Sequence, residues 1–182
     1  MSTDRNSLAY NVSNFDIQGK IGHKLTIVQY KNLFEFNDLL QLIPDQFSIL
    51  VILINTAPQG GGHWTLLVRQ NKHLTYFDSY GKGIDQELKY VTDKQELHEN
   101  KPYLSMLVKK LTDNGYTLTT NKIAYQAHKN NINTCGKWII FIAIGMLQKL
   151  DLKEIQTLLT DIKQDSKASY DEIVNYYFNY CF

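Results

Sequence analysis

Apolar residues run without a break through 47–54 (FSILVILI), rich in β-branched side chains, which predicts a central strand buried on both faces. Pro58-Gln59-Gly60-Gly61-Gly62 then interrupts regular structure. Residues 64–69 and 73–77 follow as two short strands around Gln70-Asn71-Lys72, a hairpin, and Tyr80-Gly81-Lys82-Gly83 makes a turn. Residues 25–28 form another short strand, in a first third of the chain that is otherwise polar, and 116–125 alternates well enough for one more. Helical spacing of Phe34, Leu39, Leu40 and Ile43 predicts a short helix stopped by Pro44. Leu104, Leu107, Val108 and Leu111 stand at i, i+3, i+4 and i+7, an amphipathic helix that ends near Gly115. The segment 134–149 is apolar on all sides, hence a buried helix. Asp151 with Glu154 and Ser169 with Glu172 fit capping boxes that open two further helices. The inner face of the first carries Leu152, Ile155, Leu158, Leu159 and Ile162; that of the second carries Tyr170, Val174 and Tyr177. The fold class is α+β, a small mixed sheet packed against helices, in a single domain spanning 1–182 with no repeat and no linker.

The size supports this, since 182 residues can bury a core without staples. With 19 basic and 18 acidic side chains, a net charge of +1 excludes a strongly basic nucleic-acid binder. Two cysteines, Cys135 and Cys181, exclude a disulfide scaffold and a four-cysteine zinc site, and His23, His73, His98 and His128 have no metal-ligand spacing. The polar start carries no secretory signal, and the longest apolar stretch, 138–147, falls short of the roughly 18 residues of a spanning helix. A soluble, intracellular type of protein is expected. Lysine outnumbers arginine 17 to 2 and asparagine occurs 15 times, a bias of AT-rich coding sequences.

Candidate chemistry gathers at His63, Asp78, Gln126 and Cys135. His63 stands where the glycine loop meets a strand and Asp78 where the next strand ends, so a hairpin can set a carboxylate against an imidazole and orient it. Cys135 opens the buried helix, where the positive end of the helix dipole favours the nucleophilic thiolate. Gly136 beside it lets a substrate backbone approach, the Cys135 N–H faces a developing oxyanion, and Gln126 can add a side-chain amide. Each residue alone reads more simply, as a small buried thiol, a turn histidine or a turn aspartate, with Trp64 and Trp138 as core aromatics. Their joint occurrence in this order carries the argument.

The strings GGGHW (60–64), LTYFDSYG (74–81), YQ (125–126) and NTCGKW (133–138) resemble the adenovirus-type maturation cysteine proteases (adenain) and their relatives, the SUMO- and NEDD8-processing peptidases. That group shows the order His, Asp or Glu, Gln, Cys, with Trp after the His and Gly after the Cys. The resemblance spans about 47–147 and implies His63 as general base, Asp78 as its orienter, Cys135 as nucleophile and Gln126 as oxyanion donor. It also implies Trp64 and Gly136 as substrate-binding residues of a narrow groove suited to cleavage after Gly-Gly or Gly-X. The third member is Asp, as in the deconjugating enzymes, where adenain has Glu. Gln126 lies nine residues before Cys135, a longer spacing than the family's, so Asn130, Asn131 or Asn133 is the alternative amide.

The short chain and its lysine and asparagine bias match the small proteases of virophages and Polinton-type elements. The expected function is therefore cysteine endopeptidase cleavage of viral capsid precursors during particle maturation, in the virion and the infected cell, by a monomer that needs no membrane. Family resemblance also admits DNA or a peptide as activator, with Cys181 as a cross-linking residue only in second place to an idle thiol. Two rivals are a deconjugating peptidase for ubiquitin-like proteins and a non-catalytic binding module of the same fold.

Overall fold

A computed structural model describes residues 7–22, 25–56, 62–91 and 101–182. The glycine loop as far as Gly61, together with His23 and His98, lies outside the described residues. The chain divides into two compact units. One comprises Lys24–Asp78 and Lys82–Lys122, the other Met1–His23, Ser79–Gly81 and Ile123–Phe182.

The first unit is built on a five-stranded sheet in sequence order: β1 (Leu25–Gln29), β2 (Phe47–Asn55), β3 (Gly62–Gln70), β4 (His73–Asp78) and β5 (Thr117–Thr120). The outer pairs β1–β2 and β4–β5 are parallel and the inner two antiparallel, giving the mixed sheet the sequence predicts. The apolar run of β2 pairs on both edges and is buried over most of its length. Gln70 pairs with His73 across a two-residue turn, where Asn71 takes a left-handed φ of 55°, a conformation asparagine tolerates better than most residues. Side chains alternate between faces. Leu50, Ile52 and Ile54 of β2, Leu67 of β3, and Leu74 and Tyr76 of β4 form one core with Leu104, Leu107, Val108 and Leu111 of helix α2 (Tyr103–Asp113).

Two expectations change here. Residues 34–43 form no α-helix but two 3₁₀ segments, Tyr30–Glu35 and Leu39–Gln41, and Phe34 is exposed. Phe36 is extended, and the Asp38 carboxylate accepts the Leu40 N–H, so a local side-chain cap outcompetes the helix. The strand expected over 116–125 stops at Thr120, because the next residue, Asn121, spends its side chain on the Asp78 backbone.

The second unit is helical: α1 (Asn14–Ile21), α3 (Cys135–Leu147), α4 (Leu152–Ser166) and α5 (Tyr170–Tyr180). Both expected capping boxes form, at Asp151/Glu154 and Ser169/Glu172. Helix α1, which opens with a third box at Ser13/Asp16, has no counterpart in the sequence reading. Helix α3 is the hub: it packs against α1, α4 and α5, and ten of its thirteen residues are buried. The Trp138 ring packs against Tyr125 at a tilt and edge-on against Phe141 and Tyr170, so the expected inner face of α5 holds at Tyr170. Leu158 of α4, expected inside, is exposed. The fully buried Lys137 projects its ammonium onto the Ser7 carbonyl and Asn175 Oδ1, beneath the rings of Tyr10 and Phe178. Among the described residues, no helix is long and apolar enough to cross a membrane.

Candidate active site

The sheet register makes the first half of the site. His63 is the second residue of β3 and pairs with Ile54, while Thr65, two residues on, pairs with Asp78. His63 and Asp78 are therefore diagonal neighbours on one face of an antiparallel pair, within reach of each other's side chains. His63 Nε2 lies 3.2 Å from Asp78 Oδ2. Both residues sit inside their strands, not beyond the strand ends where the sequence reading set them, and both are buried, at 4% and 0% exposure. An ionised carboxylate only accepts, so Nε2 carries the proton and Nδ1 is the basic nitrogen. Asp78 is held in turn by Asn121, whose Oδ1 accepts its N–H at 2.9 Å and whose Nδ2 donates to its carbonyl at 2.7 Å.

Glu87 also belongs to this cluster. His63, Asp78 and Glu87 each offer one donor atom within 4.8 Å of the others, the only such set among the described residues. The cationic partner is already part of the chain, because Lys82 Nζ stands 2.5 Å from Glu87 Oε1. Partial burial pulls the Lys82 pKa down, but the hydrogen bond and charge of Glu87 outweigh it and hold the ammonium above its ordinary value. Glu87 is thus charge-paired by a neighbouring ammonium. Nearby Tyr76 is kept neutral, its pKa pushed well up by burial first and the Asp78 charge second. Trp64 points to the opposite sheet face from His63, opposite Leu53, and is buried.

The helical unit carries the other two candidates. Cys135 is the first residue of α3, reduced and 8% exposed, and Gly136 beside it is buried. Gln126 is buried and clamped through Ser79, the residue after Asp78: the Ser79 carbonyl accepts the N–H of Tyr125 and of Gln126, and Ser79 Oγ donates to Gln126 Oε1 at 2.8 Å. Gln126 Nε2 donates to the Ile132 carbonyl at 3.2 Å with one of its two hydrogens. The close fit of this segment also explains Gly81. Its φ is 71°, and a Cβ there would meet the Ile123–Ala124 backbone at 2.8 Å. Asn130 and Asn131 are exposed, and Asn133 Nδ2 is spent on the Ala9 carbonyl. Cys181 is exposed and free.

Ser79, Asn121 and Glu87 escaped the sequence reading. Only Ser79 left a trace there, as the residue directly behind the candidate carboxylate in FDSYG.

The fold, a mixed five-stranded sheet with accompanying helices, is similar to that of a solved viral protease. The selenomethionine form of the ASFV pS273R protease superposes with a TM-score of 0.53 at 12% identity, over 96% of this chain and 68% of that one. A second structure of the same protease gives 0.51 at 13%, with the same coverage. No family model matches the chain. The chain belongs to the family of uncharacterized protein V9 of Sputnik virophage, to which it is 31% identical over 166 residues, 90% of this chain and 91% of that protein.

Proposed function

We propose that this protein is a cysteine endopeptidase that cleaves capsid precursors after small residues, Gly-Gly or Gly-X, during virion maturation. The observation that carries the reading is the buried His63–Asp78 pair, because an oriented, carboxylate-backed imidazole is what a thiol nucleophile needs as partner. The fold shared with the ASFV protease and the virophage relative support the peptidase class and the viral setting.

In the proposed reaction, Cys135 Sγ attacks the scissile carbonyl carbon and His63 Nδ1 takes the thiol proton. The tetrahedral oxyanion is stabilised by the Cys135 N–H and the second Nε2 hydrogen of Gln126. Collapse breaks the C–N bond, and the imidazolium returns its proton to the departing amine. Water, deprotonated by His63, then hydrolyses the thioester to a carboxylic acid and restores the thiol. Asp78 stays ionised and stabilises the imidazolium in both halves. Gly136, with no side chain beside the nucleophile, leaves room for the substrate backbone. The enzyme acts as a monomer in the infected cell and the virion, with DNA or a peptide as a candidate activator.

The test is co-expression of the protein with a virophage capsid precursor and mass spectrometry of new termini. Cleavage after small residues that disappears in Cys135→Ala supports the proposal. Cleavage that persists in Cys135→Ala overturns it, and release of Gly-Gly-terminated ubiquitin-like proteins with the precursor left intact would reassign the substrate.

A further inference from the structure

Asp171, the second residue of α5, is buried at 3% exposure, and its side chain turns away from its own helix. Oδ2 accepts the N–H of Ala127 at 2.9 Å, and Oδ1 accepts the hydroxyl of Thr134. Ala127 directly follows Gln126, and Thr134 directly precedes Cys135. One carboxylate thus closes the loop between them at both ends.

Thr134 adds an independent observation. It occupies the N-cap position of α3, where threonine ordinarily caps the first turn, yet its side chain makes no capping bond. The hydroxyl goes to Asp171 instead, so the first-turn N–H groups at Cys135 are not claimed by the cap residue. A loop this long does not by itself hold two donors and a nucleophile to the few tenths of an ångström that oxyanion stabilisation requires.

We infer that Asp171 is a positioning residue, which sets the Cys135 end of α3 and the Gln126 amide in one fixed register. This rests on the peptidase reading above. A carboxylate accepts at both ends. An asparagine keeps both bonds by presenting Oδ1 to Ala127 N–H and donating Nδ2–H to Thr134 Oγ1, which can accept. Alanine keeps neither, and Thr134→Val removes one while conserving shape.

The experiment compares kcat and KM for cleavage of a Gly-Gly-X peptide by the wild type, Asp171→Ala, Asp171→Asn and Thr134→Val, at a temperature where circular dichroism shows each folded. Expected is a fall in kcat of about 10- to 100-fold for Asp171→Ala with KM nearly unchanged, recovery to within about threefold in Asp171→Asn, and an intermediate loss in Thr134→Val. A folded Asp171→Ala with wild-type kcat, or a loss confined to KM, overturns the inference. Should Asp171→Ala not fold, the isosteric Thr134→Val decides, and an unchanged kcat there overturns it. An inactive wild type would defeat the peptidase reading itself, whereas an active wild type indifferent to these changes defeats only the role of Asp171.

Discussion

Asn121→Ala is the perturbation whose cost follows most directly from the geometry. Asn121 is 1% exposed, and its two amide atoms meet the N–H and the carbonyl of Asp78 at 2.9 and 2.7 Å, adding one side-chain rung where the β4–β5 pairing ends. Alanine removes the partners of two buried backbone groups. Each such loss costs about 1–3 kcal/mol, so a total of about 3 kcal/mol is expected. For a protein of this size that lowers Tm by roughly 6–12 °C. Asn114→Ala is the matched control, because its amide also donates to a backbone carbonyl, that of Lys110 at 2.7 Å, but in an exposed setting. There the change should stay within about 0.5 kcal/mol. Thermal and urea unfolding of the two variants reads the difference. If Asn121→Ala were no less stable than Asn114→Ala, the idea that Asn121 anchors the Asp78 backbone would be wrong. A stable Asn121→Ala that kept its peptidase activity would be equally damaging, since Asp78 would then orient His63 without the clamp.

Two further predictions concern the surroundings of the site. Ser79→Ala leaves Gln126 Oε1 without its 2.8 Å donor and should lower kcat about tenfold, less than the roughly 100-fold or greater loss expected for Gln126→Ala, with steady-state kinetics as the readout. Tyr125 has its pKa pushed up from 10.0 to about 12, by burial first and the Tyr170 charge second. Folding therefore favours its neutral form, a contribution fully present below pH 10 and lost as pH rises through about 12. Unfolding measured across that window should be less pH-dependent in Tyr125→Phe, and an unchanged slope would remove this group from the account.

What the sequence revealed and what it hid divide along physical lines. The buried strand 47–54, the hairpin and the apolar helix at Cys135 were legible because their signals are continuous and local. The capping boxes at Asp151 and Ser169 were legible for the same reason, whereas the one at Ser13 has Asp where the usual pattern has Glu and went unseen. The helix expected over 34–43 failed because a four-residue apolar pattern is a weaker signal than the cap Asp38 builds within it. The His63–Asp78 pairing could be anticipated from the hairpin, but its diagonal register needed coordinates. Asn121 reaches Asp78 across a long stretch of chain, which no local pattern reports. The distance of Gln126 from Cys135 in the chain suggested rival asparagines. Burial and the bond from Ser79 favour Gln126 over the exposed Asn130 and Asn131, because a fixed amide is a better donor than a solvated one.

The claim on which all else depends is that Cys135 is a nucleophile made reactive by His63. Treating the protein with a peptide that ends in Gly-Gly and a cysteine-reactive electrophile, then mapping the adduct by mass spectrometry, tests it with an internal control, since Cys181 is exposed and Cys135 is buried. The account predicts one adduct, at Cys135, formed at least about 100-fold more slowly in His63→Ala. Labelling that follows exposure and falls on Cys181, or labelling of Cys135 that is indifferent to loss of the imidazole, would contradict it.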